Sequence, residues 1–346
     1  MGSSTEHTLH SKWGRIFMAA PLLFVVFFSA CTKDRPSDFQ AQAPLYFPEP
    51  HYKSHLKEYT TGRFELGKKL FFDPILSTDH STSCASCHSQ THGFADHNVR
   101  FSSGIYGRKG VRNTPSIANM IWYPSFGWDG GVNHIEIFHL TPLTNELEMG
   151  TSMEDLLNRL NHEATYRAQF KEHYGVEQIS DYELFKVLTL YISQMQSYQS
   201  KYDGYRQGKV KFSSEELKGY ALFKNYCTKC HTEPLFSDFT YQNNGLDTVF
   251  ADGGRGKITK EIKDYGKFRV PSLRNVALTY PYMHDGRFWD LEEVLEHYSS
   301  GIKENSQNLS PKLKKDLHLT STEKTALITF LKTLTDYPLL ADKRFY

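Results

Sequence analysis

Cys84-Ala85-Ser86-Cys87-His88 is a C-x-x-C-H stretch, and it returns as Cys227-Thr228-Lys229-Cys230-His231. Two thiols at this spacing can each form a thioether to one porphyrin edge, and the histidine that follows then reaches the iron from below. This is the attachment sequence of c-type haem. The two copies use four of the five cysteines. Zinc sites and thioredoxin-like redox pairs also use C-x-x-C. Zinc ribbons, however, hold their pairs much closer in sequence than 87 and 227, and neither alternative needs a histidine directly after both pairs. The sequence is read as carrying two covalent haem c groups, with His88 and His231 each filling one axial position.

The chain has 346 residues and a formal charge of +1, from 40 Lys+Arg against 39 Asp+Glu, so nothing favours nucleic acid or an acidic membrane surface as partner. Its N-terminus is different. Lys12 and Arg15 precede an apolar run at 16–28, followed by Ser29, Ala30 and Cys31. The run is short for a bilayer span and reads as the core of a secretory signal. Small residues before a cysteine resemble a bacterial lipobox, although Phe28 stands where leucine is commoner. Residues 1–31 are therefore read as a lipoprotein-type signal peptide ending at Cys31, the lipidated residue; the alternatives are a plain cleaved signal or an uncleaved anchor. The expected location is the periplasmic side of a bacterial membrane, held by lipid, or otherwise the free periplasm. Residues 32–60 carry Pro36, Pro44, Pro48 and Pro50 and read as a linker.

Working outward from the two motifs reveals a repeat. A helix near 62–72 places Phe64, Gly67, Leu70 and Phe71 on one side before Asp73 and Pro74 end it. Gly219, Leu222 and Phe223 repeat that G-x-x-L-F pattern on a helix opened by a capping box, Ser213 to Glu216. Beyond the motifs, Pro115-Ser116-Ile117-Ala118-Asn119 corresponds to Pro271-Ser272-Leu273-Arg274-Asn275, an offset of 156. At the same offset Trp128-Asp129-Gly130 meets His284-Asp285-Gly286, and Ile135-Glu136 meets Leu291-Glu292. Further helical patterns run through Leu156, Leu157 and Leu160, through Leu184, Val187, Leu188, Tyr191 and Ile192, and through a last helix after the Thr320 to Glu323 capping box. Strand alternation is scarce. The expected architecture is all-α: two cytochrome c-like haem domains, 61–207 and 208–346, related by internal duplication.

The repeat also compares the two irons. Tyr298 lies fourteen residues after His284, and the 156-residue offset carries it back to Pro142, whose side chain has no ligating atom. The second haem is then six-coordinate, closed by Tyr298 or by the nearby Met283, and the first is five-coordinate and open. An open iron can bind peroxide, whereas a closed one passes or stores electrons.

In the segments 66–73, 112–116, 128–130, 146–149 and 268–286, together with both C-x-x-C-H motifs, the chain resembles the bacterial di-haem cytochrome c peroxidases and their MauG relatives. The resemblance covers most of 62–336. It implies an N-terminal peroxidatic haem, a C-terminal electron-transfer haem, Trp128 between them, Glu148 as distal acid/base, and one calcium ion at the domain interface on Asn113, Thr279 and Pro281. On the residues alone, Glu148 reads equally as an exposed helix-start glutamate beside Glu146, Trp128 as a core aromatic, and the three calcium positions do not suggest a metal. Two departures bear on subtype. Ile105 stands where peroxidases that need reductive activation carry a removable histidine, and Tyr298 stands where they usually have methionine, as in MauG-like members. Gly131 and Phe138 replace the arginine and glutamine that relatives often carry. His92, His97, His134, His139 and His297 have no spacing argument.

The leading expectation is an exported di-haem peroxidase that reduces hydrogen peroxide to water with electrons from a small cytochrome c or cupredoxin. The alternative is a MauG-like enzyme that takes its electrons from side chains of a partner protein. A non-enzymatic di-haem electron carrier is the third reading, and it requires both irons to be six-coordinate.

Overall fold

In the computed structural model, which describes residues 43–53, 57–314 and 317–346, six helices reach ten residues or more: α1 (Thr61–Phe72), α2 (Met153–His162), α3 (Ala164–Tyr174), α4 (Asp181–Ser193), α5 (Ser214–Tyr226) and α6 (Ser321–Lys332). The apolar run 16–28 and Cys31 lie outside the described residues. Among the described residues no helix is long and apolar enough to cross a membrane.

The helix starts follow from side chains that take up the otherwise unpaired first-turn amides. Thr60 accepts from Arg63 N at 3.2 Å. Capping boxes open α4 at Ser180 and Glu183, α5 at Ser213 and Glu216, and α6 at Thr320 and Glu323. The one regular sheet among the described residues is a two-residue antiparallel pair, β1 (Tyr241–Gln242) with β2 (Phe268–Arg269). The fold is thus mainly helical with little sheet.

Each helix that leads into a C-x-x-C-H motif packs chiefly on one partner: α1 on α4, and α5 on α6. Glycine makes both approaches close. A Cβ on Gly67 would come within 2.6 Å of Val187 O, and one on Gly219 within 1.9 Å of Ala326 O. The first pair encloses Phe64, Leu66, Leu70, Val187 and Tyr191, all nearly inaccessible; the second encloses Phe223, Leu327 and Phe330.

The 156-residue offset recurs in backbone geometry. Phe126 bridges Val132 and Tyr282 bridges Phe288, each as an isolated antiparallel pair. Asn119 and Asn275 both hold left-handed conformations, with φ 62° and 61°. Short helices begin at Ile135 and Leu291. Across the contact between the halves the bonds are reciprocal. Asn113 N donates to His284 O at 2.8 Å, and Arg269 N donates to Trp128 O at 2.7 Å.

The segment read as a linker is pinned over residues 43–53. Tyr46 OH donates to Asp203 at 2.8 Å, Trp122 Nε1 to Pro48 O at 2.8 Å, and Tyr52 OH to Asn133 O at 3.0 Å. Prolines punctuate this stretch, but its aromatic side chains carry enough apolar surface to dock.

Candidate functional site

Cys84–Cys87 form a single helical turn. Burial pushes Cys84 up to about 12 and Cys87 up to about 11, and burial pushes Cys227 up to about 12. Burial of this kind disfavours the thiolate that an activated redox pair needs. Cys84 packs against the first-half cores and Cys227 against the second-half core, so the pairs do not share a zinc ion. Among the described residues no group of three His, Cys, Asp or Glu could hold a metal. The zinc and thioredoxin readings therefore fall.

Both motif histidines are set for ligation in the same way. His88 Nδ1 lies 2.9 Å from Phe94 O, and His231 Nδ1 lies 3.0 Å from Phe236 O. Donation from Nδ1 leaves the Nε2 lone pair free, the usual arrangement of a metal-binding imidazole. Left-handed conformations at Phe94 and Phe236, φ 60° and 54°, turn those carbonyls back onto the rings. Burial lowers both histidines, favouring the neutral ligand form.

Beside the first motif stands Glu148. Asn145 Nδ2 donates to its Oε1 at 2.8 Å. Burial pushes its carboxyl above the ordinary carboxylate range, against that hydrogen bond. Its charge also raises the Cys84 and Cys87 thiols, which marks it as their neighbour. Glu148 is therefore in a loop turned by Asn145 rather than at an exposed helix start. Ile105 N donates to Glu148 O at 2.8 Å, and the Ile105 side chain is 2 % exposed. Pro142 O accepts from Met149 N at 3.2 Å, so Pro142, Ile105 and Glu148 belong to one unit. Neither Pro142 nor Ile105 offers a side-chain atom to a metal. The buried His139 is engaged with Thr189 Oγ1 at 2.9 Å.

The second motif lines a cavity that also holds Tyr298 and Met283 and reaches Trp128, Asn113, Thr279 and Pro281. Thiols, imidazole, further donor side chains and apolar walls such as Val270, Leu295 and Leu331 give it the composition a covalent haem needs. Asn244 Nδ2 donates to Tyr298 OH at 3.3 Å and to Met283 Sδ at 3.4 Å. Burial pushes the Tyr298 phenol up to about 12, opposed by the Asn244 bond. Tyr298 sits in a π-helical turn, His297–Gly301, a local irregularity often found at functional sites. Met283 holds φ 74°, a costly conformation for a side chain of this kind, where the offset position in the first half is Gly127 at φ 77°.

Trp128 lines this cavity rather than filling a core, and its Nε1 donates to Asn113 O at 2.7 Å. Asn113, Thr279 and Pro281 are brought to the same cavity, but none of them supplies a carboxylate. Gly131 is exposed, and Phe138 packs on Phe126 with ring centroids 5.3 Å apart. Sequence reasoning missed Asn244, the last of three consecutive amide side chains at 242–244, with no spacing signal. It also missed the Arg112 cluster, in which the guanidinium bonds Asp129 and Asp252, each at 2.6 Å. Asp252 is held well below the usual range: burial alone would raise it, and the Arg112 bond outweighs that.

Comparison with known proteins points to one family. A family model described as di-haem cytochrome c peroxidase matches residues 61–211. Methylamine utilization protein MauG of Methylorubrum extorquens is 33% identical over 318 residues, 90% of this chain and 89% of that protein. Cytochrome c551 peroxidase of Nitrosomonas europaea is 32% identical over 277 residues, 78% of this chain and 79% of that protein. The crystal structure of a MauG-like protein associated with microbial copper homeostasis superposes with a TM-score of 0.82 at 33% identity, covering 88% of this chain and 98% of that one. The diheme peroxidase BthA of Burkholderia thailandensis shares the fold, with a TM-score of 0.72 at 23% identity over 83% of this chain and 87% of that one.

Proposed function

The chain belongs to the bacterial di-haem cytochrome c peroxidase and MauG family, and from that premise we propose an exported peroxide-consuming oxidoreductase that draws its electrons from side chains of a partner protein. The family implies two haem c groups, which Cys84, Cys87 and His88, and Cys227, Cys230 and His231, would hold. When bound, the first haem supplies an open iron for peroxide and the second supplies electron transfer and storage of oxidising equivalents. Glu148 takes the proton from the near peroxide oxygen and returns it to the departing one, which its raised carboxyl suits it to do. Ile105 and Pro142 keep that side free of competing ligand atoms. Trp128, which reaches the second cavity, would carry electrons between the two sites.

The observation that carries the partner-protein reading is Tyr298, the phenol deep in the second cavity beside Asn244. A phenolate ligand favours the ferric and higher oxidation states, whereas methionine raises a haem's potential. A tyrosine thus suits a site that stores oxidising equivalents. A plain peroxidase fed by a small cytochrome c or cupredoxin is the second reading, favoured by Met283 Sδ, which is as close to Asn244 as the phenol is. The carrier reading requires two low-spin haems.

Steady-state turnover of peroxide with reduced cytochrome c separates these readings. The resting ferric enzyme should show one high-spin and one low-spin haem and turn over slowly with the donor. Fast sustained turnover would establish the plain peroxidase. Tyr298→Met should raise the potential of the second haem; unchanged potentials in that variant would make Met283 the ligand.

Four further assignments belong to this proposal. Export and lipid attachment at Cys31 rest on residues 12–31, and the mass of the mature N-terminus tests them. Division into haem domains 61–207 and 208–346 by duplication is supported by the 156-residue correspondences and by the reciprocal bonds of Asn113 and Arg269, the pattern of a two-fold interface. A calcium ion on Asn113, Thr279 and Pro281 would use amide and main-chain oxygens. Chelation should then lower the melting temperature, and a holoprotein with no bound calcium by elemental analysis would remove the ion from the account.

A further inference from the structure

We infer that residues 337–346, which follow α6, form a strap that positions His88. Through Gln90 and Phe345 the strap holds the loop whose Phe94 carbonyl bonds the His88 imidazole, and so sets how strongly that imidazole donates to the first haem iron. The inference rests on His88 as ligand of the first haem and is independent of where the electrons come from.

The strap is rooted at the buried Asp336. Its amide donates to Asn275 Oδ1 at 2.8 Å, and its carboxylate accepts from Gln199 N at 2.8 Å and from Leu339 N at 3.1 Å. A single helical turn, Tyr337–Leu340, follows. Leu339 O and Asp342 O then meet one buried side chain, Gln90, whose Nε2 donates to both at 2.9 Å. An amide nitrogen has two protons to give, and both are taken by the strap.

Phe345 completes the contact. Its buried ring lies 5.7 Å from Phe94 with the planes at 81°, 5.9 Å from Phe64 on α1 and 6.0 Å from Tyr191 on α4, centroid to centroid. It is a wedge between Phe94 and the first helix pair, and near-perpendicular aromatic contacts of this kind favour one orientation.

The loop it supports is strained. Gly93 and Phe94 are both left-handed, with φ 66° and 60°, a costly conformation for phenylalanine that its surroundings must hold. Phe94 O accepts from His88 Nδ1 at 2.9 Å and from Ile117 N at 3.2 Å, so a rotation that favours Ile117 weakens the bond to His88. That bond makes the imidazole more basic toward iron and stabilises the ferric state. The second half holds the equivalent carbonyl with its own helices: Phe236 packs on Phe223 of α5 at 5.6 Å and on Phe330 of α6 at 6.4 Å. The second motif is therefore an internal control.

The test uses the holoprotein without peroxide. Gln90→Leu removes both donors at nearly constant volume, and Phe345→Ala removes the wedge. Each should raise the midpoint potential of the first haem. Each should also speed solvent exchange of the His88 Nδ1 proton, followed by NMR in the ferric protein, by about tenfold or more. The second haem's potential and the His231 Nδ1 proton should not move, and Phe345→Leu should restore both readouts most of the way. Unchanged readouts at the first haem, even with a lowered melting temperature, mark a merely structural role and overturn the inference; equal changes at both haems mark general loosening and overturn it too. Where a variant does not fold, native-state hydrogen exchange of the wild type decides. The Phe94 and Phe345 amides should be protected to within about tenfold of each other, and a larger gap in either direction overturns the inference. Two low-spin haems in the resting protein would remove the proposed function, and every readout named here would still decide the strap.

Discussion

Glu148 shows how much a single residue's environment decides. In the chain it is one of two nearby glutamates; in the folded protein it is held by Asn145 and half-buried, so its carboxyl is raised by partial burial. Glu148→Gln should slow peroxide consumption by about 10²-fold or more with haem content unchanged; an unaltered rate would remove it from the mechanism. The same burial has a stability consequence. A carboxyl with a raised folded pKa contributes stability that is present below its ordinary value of 4.5 and lost as pH rises through the folded value. Melting temperatures should therefore show Glu148→Gln gaining on wild type between pH 4 and pH 7.5, and a constant gap would contradict the burial argument. Tyr298 was singled out because repeat spacing compares it with Pro142, and it does line the second cavity. Asn244 was not, since one amide of three in a row, 242–244, becomes a site residue only when two other segments fold against it.

At the scale of elements, the helices were legible where their signals are local. The capping boxes at Ser213 and Thr320 start α5 and α6 as read, and the G-x-x-L-F repeats mark the two helices that enter the motifs. The closeness of the helix contacts was not legible. Alanine normally improves a helix interior by ~0.5–1 kcal/mol over glycine, yet a Cβ at Gly219 would meet Ala326 O at 1.9 Å. Gly219→Ala should instead destabilise by ~1–3 kcal/mol through forced separation of α5 and α6. Gly67→Ala, 2.6 Å from Val187 O, should cost less. Urea denaturation of both variants checks the sign and the order. The π-helical turn at Tyr298 escaped the sequence for a related reason, because a one-turn widening leaves no trace in a 3.6-residue pattern.

Across the whole molecule, one buried ion pair ties the docked N-terminal segment to the second half. Arg274 bonds Asp203 through both guanidinium nitrogens, at 2.9 and 2.8 Å, with each side chain 1 % exposed. Tyr46 OH reaches the same carboxylate, and Arg274 lies 4.8 Å from the Phe47 ring centroid. Removing one partner leaves a buried charge uncompensated, so Asp203→Ala should cost ~3–5 kcal/mol. Burial alone would raise Asp203, but the Arg274 bonds and charge outweigh it and hold the group below its usual value. Its stabilisation is then present above 3.8 and lost as pH falls through the lower folded pKa. Denaturation curves should show the wild-type advantage shrinking on acidification, and an advantage independent of pH would place the stabilisation elsewhere.

By itself the sequence determined two haem attachment motifs, their repetition at a constant offset, and the absence of a ligating side chain at Pro142 and Ile105. These were readable because covalent attachment and axial ligation demand particular residue types at short, contiguous spacings. Only the tertiary structure decided that Glu148 is half-buried beside the first motif, that Tyr298 and Met283 share one amide, and that residues 43–53 are docked. Each of these depends on segments far apart in the chain meeting, and burial, hydrogen bonding and charge balance arise only once that packing is complete.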